Sequence, residues 1–159
     1  MKTFLISIIL SSAFFGLSAQ ETKPLAVYVG TSPCGNIIKS LLGVKEESEC
    51  DFTKWTLTLY PQKANDPAPA KLVYRYGVSK PNTTGFMDEK KVEFEGHWTI
   101  QKGMHNKPNA IVYQVTLHHV DKNLLFVQLS DNAIHMLDSQ RNLMIGNAGH
   151  SYTFSKAKP

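Results

Sequence analysis

Apolar and polar residues alternate one by one through most of this chain. Trp55, Leu57 and Leu59 face one way while Lys54, Thr56 and Thr58 face the other, the pattern of a half-buried strand. The longest run sets Val92, Phe94, Gly96, Trp98 and Ile100 against Glu93, Glu95, His97 and Thr99. Ile111, Tyr113, Val115 and Leu117 alternate with Gln114, Thr116 and His118 in the same way. Leu125, Val127 and Leu129 read as the next core-facing set, then Ile134 with Met136, then Tyr152 with Phe154. Leu72, Tyr74 and Tyr76 make another strand against Arg75, and Ala26 to Val29 a short first one. Turn formers such as Pro81-Asn82, Ser130 to Asn132 and Gly146 to Gly149 separate these runs. Asn36 to Leu42 is the one helical candidate. Seven or eight strands with short turns predict an all-β fold, an antiparallel barrel or sandwich, each strand lining a single core with its other face in water.

The first nineteen residues break the pattern. Lys2, an apolar stretch from Phe4 to Phe15 and the small-residue site Leu17-Ser18-Ala19 predict a secretory leader over 1–19. Removing 19 of 159 residues leaves 140, one domain's worth, over 20–159. No cysteine stands at the cleavage point, so the expected product is periplasmic or secreted and not membrane-anchored. With Lys2 set aside, 16 basic residues face 13 acidic ones, scattered along the chain. That is a solubility charge, and without a basic stripe it argues against nucleic acid as a partner.

Export also changes the meaning of the cysteines. Cys34 and Cys50 are the only two, and in an oxidising compartment an even pair reads as a disulfide closing fifteen intervening residues. The rival reading is a single reactive thiol at Cys34, although nothing near it in sequence supplies the cation that would lower its pKa.

Several segments occur in a telling order: Val29-Gly30-Thr31-Ser32-Pro33-Cys34-Gly35-Asn36-Ile37, Trp55-Thr56-Leu57-Thr58-Leu59, Gly96-His97-Trp98-Thr99-Ile100, Ile134-His135-Met136-Leu137-Asp138 and Tyr152-Thr153-Phe154. Together they resemble the amino-terminal domain of the NlpE family of copper-resistance and envelope-stress lipoproteins. The resemblance implies a small lipocalin-like antiparallel β-barrel of about seven or eight strands, and a role in envelope stress or copper tolerance. Three departures stand out. The family's opening usually carries Pro-Cys-x-x-Cys, whereas Pro33-Cys34 is followed by Gly35-Asn36-Ile37. The lipidation cysteine of those lipoproteins is missing, and the chain has no room for the second domain of longer members.

Candidate chemistry is sparse. A paired-thiol site would suit Cu(I), but the opening holds one cysteine. Neighbours on a strand point to opposite faces, so His118-His119 and His135-Met136 cannot chelate as adjacent pairs from one regular strand. Met104 and His105, placed between two strands, escape that objection and are the candidate copper ligands. Otherwise His97, His118 and His135 read as polar-face histidines and Met136 as core. No nucleophile elbow, zinc-protease pair or phosphate loop occurs, and Glu93 with Glu95 reads as a solvated pair, so no enzyme is expected. Binding remains. Trp55, Tyr74, Phe94, Trp98 and Tyr113, with Phe154, either plug a barrel or line an aromatic pocket open at one end. The expectation is a monomeric, cofactor-free envelope protein that binds a small apolar ligand or an envelope protein partner at the open end of the barrel. The alternative is a copper-binding protein using Met104 and His105.

Overall fold

The computed structural model describes residues 22–63, 66–118, 120 and 123–158, so the predicted leader and His119 lie outside the described residues. Eight strands form: β1 Ala26–Pro33, β2 Phe52–Leu59, β3 Ala68–Gly77, β4 Lys90–Met104, β5 Lys107–Leu117, β6 Asn123–Ser130, β7 Ala133–Leu137 and β8 Thr153–Lys156. Each pairs antiparallel with the next, and β8 returns to β1 through Tyr28↔Lys156 and Gly30↔Phe154. The sheet is therefore a closed up-and-down barrel with no free edge, not a sandwich. Among the described residues a single helix forms, α1 Asn36–Leu42, and it interrupts the meander between β1 and β2. No helix among the described residues is long and apolar enough to cross a membrane.

Aromatic side chains fill the middle of the barrel. Trp55, Tyr74, Phe126 and Phe154 are all essentially inaccessible to solvent. The Phe154 ring meets Trp55 edge-on at 5.7 Å and Phe126 at 5.5 Å, and Trp55 lies 6.1 Å from Tyr74. Such contacts add to plain area burial. The Trp55 indole N–H donates to Ser32 Oγ at 3.0 Å, and Ser32 and Thr53 share a hydroxyl hydrogen bond of 2.7 Å. This small polar network is fully buried and fully satisfied.

β1 runs to Pro33, past the Val29 at which the apolar pattern stops, because its inner positions there are Gly30 and Ser32. A Cβ at Gly30 would lie 2.8 Å from the Phe154 ring, so glycine lets β1 close against β8. Gly96 serves the same end in β4. It pairs with both Ala70 of β3 and Leu117 of β5, and a Cβ there would overlap the Thr116 carbonyl oxygen.

Two expectations are corrected. In β6 the core face is Leu124 and Phe126, not Leu125, Val127 and Leu129, and Leu129 is 54% exposed. Nor is there a single core: Val112, Val127 and Leu137 form a second, small cluster on the outer face, joined by Met104, Ala110 and Leu125. The run Leu124-Leu125-Phe126-Val127 is apolar on both faces because both are covered, which erases the period-two signal. The segment after β7 folds back across the outside of β4 and β5, where Arg141 donates to the Lys102 and Gly103 carbonyls at 3.0 and 2.8 Å. Ile100 shares the inner face of Trp98 yet is 61% exposed, since β3 ends its pairing at Trp98 and β4 continues beyond it with β5 alone.

Candidate functional site

Pro33 delivers the chain to the end of the barrel where α1 lies. Cys34 and Cys50 are disulfide-bonded, with Cα atoms 5.7 Å apart, and the loop between them contains the whole of α1. Gly35 enters the helix in extended geometry, and Gly43 ends it in the left-handed region at φ 67°, letting the Val44 N–H reach back to the Lys39 carbonyl at 2.9 Å. Lys39 Nζ donates to the Glu46 and Ser48 carbonyls at 2.6 and 2.7 Å, tying the helix to the loop that follows. Ile38 and Val44 drop into the main core and close this end of the barrel.

The opposite side of α1 packs down only in part. Leu41 rests against the main core, but Ile37 is 65% exposed, and with Asn36, Ser40 and Leu41 it faces the ends of β6 and β7 across a cleft of about 750 Å³. The far wall is Leu124, Leu125, Met136 and Leu137, with Gln114 of β5, Asn123, Asp138, Ser139 and Met144 at its margins. Apolar walls with a few polar groups, at this size, are the usual make-up of a small-molecule pocket. Leu143 and Ile145, which flank Met144 in the chain, are also exposed, Ile145 by 91%.

Asp138 organises the margin. Its Oδ1 accepts the backbone N–H groups of Gln140 at 2.8 Å and Asn142 at 2.9 Å, and its Oδ2 accepts from Asn142 Nδ2 at 3.2 Å. Burial pushes this carboxyl up, but the Asn142 and Gln140 hydrogen bonds and the nearby His105 outweigh it and hold the group below the usual range. The turn places Arg141 at φ 63° with its guanidinium on Gln101 Oε1 at 2.5 Å, and Gln101 in turn donates to Gln114 Oε1 at 2.6 Å. A hydrogen-bonded chain thus runs from the back of the segment to the cleft wall.

The five aromatic residues singled out from sequence lie elsewhere. Trp55 and Tyr74 are sealed in the core, and Phe94, half-buried, stacks on Tyr74 at 6.0 Å. Trp98 and Tyr113 meet edge-on at 5.8 Å, with the Trp98 indole N–H donating to the Tyr60 carbonyl at 2.9 Å and the Tyr113 hydroxyl 3.2 Å from Gln128 Oε1. None of the five lines the cleft. Met104 ends β4 beside the outer cluster, and His105 is exposed in the hairpin with its backbone N–H on the Arg141 carbonyl at 3.1 Å. Among the described residues no group of three or more His, Cys, Asp or Glu side chains is placed to hold a metal ion. His135 is a structural histidine, its ring nitrogens 2.9 Å from Thr153 Oγ1 and from the Met144 carbonyl oxygen. His97 and His118 come together across β4 and β5, ring centroids 6.5 Å apart, on a second groove of about 570 Å³ with Lys71 and Glu95.

Alternation could not reveal the cleft, because its walls are a helix, strand ends and a turn. Two signals were nonetheless present. Ile37, Ile38 and Leu41 spread apolar residues around more than one face of a seven-residue helix, and Leu143-Met144-Ile145 is an apolar run inside turn-rich sequence. No family model, curated protein or solved structure matches the chain.

Proposed function

We propose that this is an exported, non-catalytic envelope protein that binds a small apolar ligand in the cleft between α1 and the ends of β6 and β7. The observation that carries this reading is the cleft itself: an apolar wall of Leu124, Leu125, Met136 and Leu137 faced by Ile37 and Leu41 of α1, about 750 Å³ in volume, and set at the end of a barrel whose interior is already filled. Export rests on the leader pattern of residues 1–19, and the Cys34–Cys50 disulfide is compatible with it. The NlpE-like order of segments supports a role in envelope stress or copper tolerance.

Titration with the neutral fluorescent probe N-phenylnaphthylamine tests the reading. Wild-type protein takes up the probe with enhanced emission. Ile37→Lys and Ser139→Lys, both at exposed positions lining the cleft, abolish uptake while leaving the unfolding midpoint nearly unchanged. Uptake that survives both substitutions contradicts the reading. Copper held by Met104 and His105 makes a separate demand, an affinity indifferent to Ile37→Lys and lost on replacing those two residues by alanine.

A further inference from the structure

Lysines that are scattered along the chain gather at one end of the barrel. In an up-and-down barrel of eight strands the β2–β3, β4–β5 and β6–β7 connections share an end with the segments before β1 and after β8, and α1 stands at the other. The first end carries Lys23, Lys63, Lys102, Lys107, Lys156 and Lys158, all exposed, against Asp66 and Asp131. With Glu21, which precedes Thr22 in the chain, counted as well, the cations still lead by six to three. Lys2 set aside, the rest of the chain holds ten charges of each sign, so the whole excess of three sits at this end. Among the described residues none of the six lysines is held in an ion pair. Apolar side chains stand between them: Leu25, Ile100, Ile111 and Leu129 are exposed at the same end. Ile100 pairs with Tyr113 and Lys102 with Ile111, on the face of the β4–β5 hairpin that runs on past the last β3 pair at Trp98. The Trp98 and Tyr113 rings, edge-on to each other, form the base of that face.

We infer that this end of the barrel docks on the surface of an anionic phospholipid bilayer. The inference is independent of the cleft, which lies at the opposite end. Each lysine brought within a Debye length of an anionic surface adds attraction, and its flexible stem lets the ammonium group meet lipid phosphates while the methylenes lie along apolar surface. Charge alone would suit an acidic protein equally well. The interleaved aliphatic side chains favour the bilayer, because they gain by entering the boundary between headgroups and acyl chains. Indole and phenol rings such as those of Trp98 and Tyr113 also favour that boundary. A protein docked in this way holds the α1 cleft at its far end, away from the lipid.

Flotation of the exported protein with lipid vesicles tests the inference. Vesicles of phosphatidylcholine with about one third phosphatidylglycerol should carry the protein at low salt, and pure phosphatidylcholine should carry at least about tenfold less. Added salt should release the bound protein, because screening weakens the attraction of exposed lysines. Lys102→Glu with Lys107→Glu should weaken flotation at least about tenfold. Ile100→Ser with Ile111→Ser should weaken it several-fold although every lysine remains. Lys45→Glu with Lys80→Glu, the same change of charge in the connections at the α1 end, should leave it nearly unchanged. No flotation of wild-type protein with phosphatidylglycerol vesicles overturns the inference, and capture by soluble polyglutamate in its place would assign the lysines to an acidic protein partner. Equal loss from the two lysine pairs overturns the assignment to this end of the barrel. Uptake of N-phenylnaphthylamine in the absence of vesicles is unaffected by either result, so the cleft reading stands or falls separately.

Discussion

Cys34 and Cys50, sixteen positions apart, are bonded across the base of the loop that holds α1, so one wall of the cleft hangs from a single covalent closure. Closing a loop of this length stabilises a fold by about 3 kcal/mol in the chain-entropy estimate. The double substitution Cys34→Ser, Cys50→Ser should therefore lose about 2–4 kcal/mol in urea denaturation and lose probe binding with it. Denaturing, non-reducing thiol labelling of protein recovered from the exported compartment should add no label. Two labels, or full probe binding in the double variant, would contradict this role for the bond.

The corrected register of β6 makes a sharp contrast between two residues three apart. Phe126→Ala should cost about 3–5 kcal/mol, as emptying a buried aromatic site does. Leu129→Ala should change stability by no more than about 0.5 kcal/mol, as exposed substitutions usually do. The same contrast holds on β4 between Trp98→Ala and His97→Ala. Chemical denaturation giving the reverse order in either pair would shift that strand by one residue.

Where one face of a strand meets core and the other meets water, sequence was enough to place it. Trp55, Leu57 and Leu59, or Leu72, Tyr74 and Tyr76, read directly as inward faces, and all six are buried. The helix Asn36–Leu42 was equally visible, with glycine on both sides. Legibility failed where a second layer covers the sheet. Val112 and Val127 are buried on the outside, beside the segment carrying Arg141, so inward and outward positions of β6 carry the same chemistry. The aromatic residues read from sequence as either a plug or a pocket lining, because nothing in a period of two tells a filled lumen from an open one. Cleft residues such as Ile37 and Met144 come from two separate connections, β1 to β2 and β7 to β8, and meet only in the folded chain.

Glu93 makes the pH dependence testable. Hydrogen bonds from Lys91 and from Lys71, the latter at 2.9 Å, hold its carboxyl at about 2 against an ordinary value of 4.5. The folded value lies below the unfolded one, so the stabilisation is present above pH 4.5 and is lost as pH falls toward about 2. Asp51, held low first by the backbone N–H of Ser79 at 2.7 Å, titrates with the same sign. Glu93→Gln should be less stable than wild type at neutral pH, with the difference shrinking on acidification below 4.5 and with added salt. Denaturation midpoints across a pH series give the answer, and a gap that widens in acid would contradict the ion pairs.

Arg141 should behave as the fastener of the segment that bounds the cleft. Arg141→Ala removes the hydrogen bonds to Lys102, Gly103 and Gln101 and should cost about 1.5–3 kcal/mol, the range for bonds made by a charged group. Amide exchange at His105, whose N–H rests on the Arg141 carbonyl, should quicken before the barrel as a whole opens. Unchanged exchange at His105 in the variant would show that the segment is held by other contacts.

The most direct test of the central claim is to record backbone amide spectra of isotope-labelled protein as N-phenylnaphthylamine is added. The account predicts saturable shifts concentrated at Ile37, Leu41, Asn123, Leu125, Ser139 and Met144, the two walls and margin of the cleft. Shifts centred instead on Trp55, Tyr74, Phe94, Trp98 and Tyr113, or on His97 and His118 at the second groove, would contradict it.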